Sequence, residues 1–316
     1  MCQEFSGQAP MNPSDRIYIA NHDKMPGRAF ARILKKKGFR NLILKTAPEL
    51  DLLEQASVRS FFRDEKPDHV ILTSVKSGGI QANIDDPAGF LYDNLTAQNN
   101  VIHSAFKSRV KKLLYVVASC VYPKSCPQPM KEDYILTGPL EPTSEPYSLA
   151  KIAGMKMCQY YNRQRGAKFI SVIPATIFGP DDDFDADAAH VIPALIRKFH
   201  DAKEKGSPSV TVWGSGNARR EFIYADDMVD ACLFLMKNYN KPEPVNIGTG
   251  TDMTIRELAQ VIKEAVGFKG ELKFDRTRPE GAMRKLLDIS KITVLGWKPK
   301  TDIRAGIQNS YAGLNS

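Results

Sequence analysis

A chain of 316 residues with 42% apolar and 25% charged residues can bury one large α/β unit with an appended lobe, and this composition excludes fibrous and wholly disordered classes. No apolar run approaches the roughly 18 residues that cross a bilayer, and no basic stretch followed by an apolar one opens the chain, so a cytoplasmic protein without a membrane partner is expected. The net charge of +8 suits an anionic ligand; the basic clusters at 35–37 and 107–112 lack interleaved aromatics and read as solvated faces, so no nucleic-acid partner is expected.

Residues 1–14 are polar, contain Pro10 and Pro13, and read as a disordered leader. A strand is predicted over 16–20, then a turn with Asn21, Lys24 and Gly27, a helix over 28–37 ending at Gly38, and a second strand over 41–45. This is a βαβ opening, whose first turn is where a dinucleotide pyrophosphate would sit. The alternation continues with a helix over 57–63, a strand over 69–74, a long helix over 88–106, a strand over 112–118 and a strand over 169–174. Such alternation predicts a Rossmann-type doubly wound parallel sheet over 15–180. Beyond 180 the elements shorten, with a helix over 190–205 and strands over 210–213 and 272–274. Residues 181–316 are read as a smaller substrate-binding lobe, partly interleaved with the first domain. The five cysteines (Cys2, Cys120, Cys126, Cys158, Cys232) have neither a disulfide-framework spacing nor a paired Cys-x2-Cys, so no metal site is expected.

The stretch Glu145-Pro146-Tyr147-Ser148-Leu149-Ala150-Lys151 puts a phenol and an ammonium one helical turn apart. A lysine so placed lowers the tyrosine pKa, and such a tyrosine can trade a proton with a carbonyl oxygen. On spacing alone, a surface helix with one aromatic and one lysine is the commoner reading.

The flanking motifs change that balance. The runs Ser119-Cys120-Val121-Tyr122-Pro123-Lys124, Glu145-Pro146-Tyr147-x3-Lys151-Ile152-Ala153-Gly154, Phe178-Gly179-Pro180, His190-Val191-Ile192-Pro193-Ala194-Leu195, Val212-Trp213-Gly214-Ser215-Gly216, Arg220-Glu221-Phe222, Val245-Asn246-Ile247-Gly248-Thr249-Gly250 and Arg284-Lys285-Leu286-Leu287-Asp288 together resemble the GDP-L-fucose synthases. These are extended short-chain dehydrogenase/reductases that epimerise and then reduce a GDP-4-keto-6-deoxy sugar, and the resemblance covers about residues 15–315. It implies that Cys120 and His190 are the acid/base pair at C3 and C5, that Tyr147 holds the C4 oxygen, and that Lys151 keeps Tyr147 acidic. A thiolate serves as a base once its pKa falls, and a nearby imidazolium is expected to lower it. The resemblance further implies substrate contacts from Lys198, Trp213, Arg220 and Lys285, NADP(H) contacts from Asn21, Lys24, Gly27, Asp51 and Lys151, and a homodimer built from the 88–106 and 147–163 helices.

The chain departs from that family at the dinucleotide site. Its Gly-x2-Gly-x2-Gly positions hold Asn21, Lys24 and Gly27; Asp23 and Ala47 stand where arginines meet the 2′-phosphate; Thr73-Ser74 replaces small residues; Ala118 replaces an active-site serine; and Thr176 replaces an asparagine. These changes spare Cys120, His190, Tyr147, Lys151 and Arg220. The expectation is therefore a GDP-sugar enzyme that retains C3/C5 epimerisation while NADP(H) binding and C4 reduction are weakened or lost. The full bifunctional synthase and a non-catalytic GDP-sugar-binding paralogue are the alternatives.

Overall fold

The computed structural model describes residues 11–314 except 74, 185–189 and 279–280; most of the expected leader, and Ser74, lie outside the described residues. The first half comprises β1 (Ile17–Ala20), α1 (Gly27–Lys36), β2 (Leu42–Leu44), α2 (Gln55–Glu65), β3 (His69–Leu72), α3 (Ile80–Asp85), α4 (Pro87–Lys107), β4 (Lys112–Val116), α5 (Glu145–Arg165) and β5 (Phe169–Pro174). The second comprises β6 (Thr176–Phe178), α6 (Val191–Glu204), β7 (Ser209–Trp213), β8 (Arg219–Arg220), β9 (Phe222–Tyr224), α7 (Ala225–Asn238), β10 (Val245–Ile247), β11 (Met253–Thr254), α8 (Ile255–Val266), β12 (Glu271–Asp275), β13 (Arg284–Lys285), α9 (Ser290–Val294) and α10 (Ile303–Leu314).

Strands β1, β3, β4 and β5 are buried along their whole length, so they carry apolar residues without alternation, as a sheet covered on both faces requires. They form a six-stranded sheet in the order β10-β5-β4-β3-β1-β2, with every pairing parallel. The α/β doubly wound sheet expected from the sequence is present. Its strand order reverses between β1 and β3, and ligands of such sheets bind outside the carboxyl ends of the strands at that point.

The apolar core divides into two clusters. One surrounds the six-stranded sheet and includes α7, Ile292 and Trp297; the other gathers Phe178, Ile196, Phe199, Ile262 and Ile307 from β6, α6, α8 and α10. The chain leaves the sheet after β5, pairs β6 with β9, and returns through α7 to place β10 beside β5. Glu221, just before β9, therefore lies where the two clusters meet.

Lys112 corrects the sequence reading of 107–112 as a solvated face. It is only 3% exposed, because it opens a buried strand beneath the end of α7. Its ammonium donates to the carbonyls of Leu235 (3.3 Å), Met236 (2.8 Å) and Tyr239 (2.5 Å) and to Asn240 Oδ1 (2.7 Å). It thus closes a helix C-terminus whose last carbonyls have no intrahelical partner. Lys112→Met keeps the stem but orphans those oxygens, and is expected to lower stability by about 2 kcal/mol, read as a fall in the urea midpoint. An unchanged midpoint would show that water replaces the ammonium.

Candidate active site

Helix α5 begins at Glu145, with Pro146 in its first turn, so Tyr147 and Lys151 lie one turn apart as the spacing requires. Lys151 is 1% exposed and its ammonium donates to the Val116 carbonyl at 2.8 Å, at the end of β4. It lies 4.6 Å from the Tyr115 ring centroid and 5.7 Å from that of Tyr147. Burial pulls its ammonium down to about 7. Tyr147 is half-buried, with its ring edge-to-face against Phe90 at 6.3 Å.

Cys120 lies in the 3-10 turn Ser119–Val121 that follows β4, directly after Ala118. The Ser148 hydroxyl donates to the Cys120 carbonyl at 3.0 Å and to Ser144 O at 2.8 Å, tying the cysteine turn to the helix that carries Tyr147 and Lys151. Burial pushes the Cys120 thiol up, and the charges of Lys285 and Lys151 pull it back. His190 stands exposed at the N-cap of α6, and the cation that acts most on the thiol is Lys285.

Strand pairing brings Lys285 there. β13 runs parallel to β8 with Lys285 opposite Arg220 and Arg284 opposite Arg219. Asp252 accepts from Arg219 Nε at 2.8 Å and Arg284 Nε at 2.5 Å, which fixes those two on one face and turns Arg220 and Lys285 to the other. The Cys120 loop grips the same strand: Met130 N donates to Leu286 O at 2.7 Å, and Leu286 N to Gln128 Oε1 at 2.9 Å. Glu221, next to Arg220, accepts from the backbone N–H groups of Thr249 (2.7 Å), Gly250 (2.7 Å) and Leu287 (2.8 Å). A Cβ on Gly248 would meet its Oε1 at 2.2 Å, so only glycine lets that carboxylate in. Glu221 carries no role in the sequence reading, although it sits inside a quoted motif.

A second group lies on the smaller lobe. Trp213, at the end of β7, is 52% exposed. The Lys198 ammonium stands 6.0 Å from its ring centroid and donates to Thr211 O at 3.1 Å, and the Arg278 guanidinium stands 5.0 Å away on the other part of the lobe. An indole flanked by two cations is a surface for a planar, anionic ligand. Lys198 and Trp213 are legible from the resemblance; Arg278 is not, because nothing in its local spacing marks it.

The strand-to-helix turn after β1 keeps the form a dinucleotide needs. Asn21 adopts the left-handed conformation with φ of 61°, and a Cβ on Gly27 would meet the Asn21 carbonyl oxygen at 2.3 Å. Lys24 is exposed above this turn. His22 Nδ1 is buried there with no hydrogen-bond partner, an open polar atom inside the cradle. Thr73, read as an obstruction, is 3% exposed and its hydroxyl donates to Ala20 O at 2.9 Å, so its side chain lies between the strand ends rather than in the crevice. Asp51 lies on the segment after β2, exposed, its carboxylate accepting from Leu53 N at 2.9 Å. Asp23 is half-buried, Ala47 is exposed and Thr176 lies in β6. These residues fit a bound dinucleotide.

A doubly wound sheet with a Tyr-x3-Lys pair at the end of β4 and a glycine-containing turn at its switch point defines a nucleotide-dependent enzyme of the extended short-chain dehydrogenase/reductase class. The profile of the NAD dependent epimerase/dehydratase family matches residues 21–248, and the chain belongs to that family. It is 51% identical over 298 residues to GDP-L-fucose synthase 1 of Arabidopsis thaliana, covering 94% of this chain and 92% of that protein. It is 45% identical over 305 residues to the GDP-L-fucose synthase of Escherichia coli, covering 94% and 95%. Among solved structures, a GDP-mannoheptose C4 reductase from Campylobacter jejuni with NADP bound superposes with a TM-score of 0.90 at 41% identity, covering 97% of this chain and all (100%) of that one. The resemblance to GDP-L-fucose synthases drawn from the motifs is thus upheld.

Because Lys285 favours the Cys120 thiolate, removing its charge raises the thiol pKa further. Iodoacetamide labelling of Cys120, followed by peptide mass spectrometry, is expected to rise with pH, and in Lys285→Met the rise is expected to move to more alkaline pH. Superimposable profiles would show that the ammonium does not act on this thiol.

Proposed function

We propose that this chain is a bifunctional GDP-4-keto-6-deoxy-hexose 3,5-epimerase and NADPH-dependent 4-reductase, of the GDP-L-fucose synthase type. The observation that carries the proposal is the Ser148 bond to the Cys120 carbonyl, which joins the epimerisation residue to the Tyr147–Lys151 helix in one rigid site.

The 4-keto group acidifies the hydrogens on C3 and C5. Cys120 takes a proton from one face of the ring and His190 returns one to the other. The Tyr147 hydroxyl donates a hydrogen bond to the C4 oxygen and stabilises the enolate as negative charge gathers there. Lys151, fixed by Val116 O, holds that hydroxyl acidic. Arg220 and Lys285 meet the diphosphate, while Lys198, Trp213 and Arg278 receive the guanine end. Asn21, Lys24, Gly27, Asp51 and Lys151 would hold NADP(H), whose nicotinamide supplies the hydride for C4. Tyr147 then gives its proton to the C4 oxygen.

The reading in which reduction is weakened or lost rests on Lys24, Asp23, Ala47 and Ala118. The preserved turn and the withdrawn Thr73 side chain favour the bifunctional reading, as do the end-to-end relatives named as synthases and a C4 reductase. Ala118 carries no hydroxyl, and the Lys151 ammonium stands 5.7 Å from the Tyr147 ring centroid. A homodimer through α4 and α5 fits the exposed Tyr92, Leu149 and Tyr160 on those helices; Ile152 and Met155 instead belong to the monomer core.

With a GDP-4-keto-6-deoxy sugar in deuterated water, isotope exchange at C3 and C5 is expected without cofactor, and loss of NADPH absorbance once NADPH is added. Tyr147→Phe is expected to depress both by about 100-fold. Exchange without NADPH oxidation would leave the epimerase alone, and neither activity would leave a binding protein. Tyr160→Glu is expected to give a monomer in sedimentation velocity; an unchanged species would place the interface elsewhere.

A further inference from the structure

The turn after β1 has lost the glycine that ordinarily lets a pyrophosphate approach backbone, and has gained two cations. Lys24 N donates to Asn21 O at 3.3 Å, and Lys24 O accepts from Arg28 N at 2.9 Å, so Lys24 closes the turn and opens the helical bonding of α1. Its neighbours fix its direction. Met25 packs inward, its Cε only 3.3 Å from where a Cβ on Gly179 would lie, and Pro26 is buried. Lys24 is therefore turned outward, and it is exposed. Arg28, also exposed, folds back so that its Nε donates to Asp23 O at 2.7 Å. Two cations stand on the rim of one turn, and the first turn of α1 carries no acidic residue to neutralise them. The acids that face this region are Asp23 within the turn, Asp182, whose buried carboxyl feels the charge of Arg28, and Glu49, which feels that of His22. Among the described residues, the salt bridges of this region are those of Arg32 with Asp181 and Asp226, one turn further along α1.

We infer that this chain binds the pyrophosphate of its dinucleotide through the side-chain charges of Lys24 and Arg28, replacing the close backbone contact that a glycine at position 24 would give. The inference rests on the dinucleotide-dependent half of the proposed function. A glycine cradle holds pyrophosphate by short N–H bonds that salt screens little, whereas a lysine on an exposed rim acts as a point charge that salt screens strongly. The pyrophosphate is common to NADH and NADPH, so both should feel the change equally.

The test is titration of the native protein with NADH and with NADPH, without sugar, reading nicotinamide fluorescence at several KCl concentrations. The native Kd is expected to rise steeply with salt for both. Lys24→Gln is expected to weaken both about fivefold at low salt and to flatten the salt dependence, while Lys24→Arg restores it. Because Lys24 is exposed, the variants should melt with the native protein. A loss confined to NADPH would place the ammonium on the 2′-phosphate and overturn the assignment. Native-like Kd and salt slope in Lys24→Gln would overturn it as well, with the reductase reading intact. No binding of either dinucleotide to the native protein would remove the reductase reading together with it.

Discussion

The buried carboxylate of Glu221 holds the site in register. It accepts N–H groups from the loop between β10 and β11 and from Leu287, just after β13. Burial pushes the carboxyl up to about 7, while those three donors pull the other way by favouring the charged form. The two-residue strands β8 and β13 are too short to fix their own pairing, yet Arg220 and Lys285 can share a face only if that pairing holds. A glycine at 248 leaves the space, the carboxylate fills it, and Lys285 is held where its charge reaches Cys120.

What the sequence made legible follows from range. Tyr147 and Lys151 are related by helix geometry alone, so their proximity could be read from spacing, and the turn from Ala20 to Gly27 is likewise local. The link between Cys120 and Lys285 joins residues far apart in the chain through a bridge between Met130 and Leu287, which no periodicity announces. The same limit explains one misreading. Lys112 looked like part of a solvated basic run because the carbonyls that receive it belong to α7 and the residues just after it.

The cofactor turn shows how fold and chemistry can diverge in what they demand. The fold requires a left-handed residue at 21 and the absence of a side chain at 27, and Asn21 and Gly27 meet both conditions. It asks nothing of position 24 except that the side chain point outward. Lys24 therefore leaves the turn's backbone path intact while altering what the turn presents to a ligand. Departures from a binding motif that look like decay in a sequence need to be divided in this way, into those that break the backbone path and those that only change the group displayed along it.

The two halves of the proposed reaction place unequal demands on these parts. Enolate formation needs a base, an acid and a polarised carbonyl, the roles proposed for Cys120, His190 and Tyr147, and it needs no dinucleotide. In the proposed reduction Tyr147 would transfer its proton rather than share it. Lys151, the residue proposed to support Tyr147, has its ammonium held by the Val116 carbonyl and lowered to about 7 by its own burial. Because the ammonium loses its proton as pH rises through that value, the support it gives Tyr147 weakens on the alkaline side, where the Cys120 thiolate becomes more abundant. The same loss withdraws one of the charges that favour the Cys120 thiolate, so both proposed steps feel the titration of Lys151.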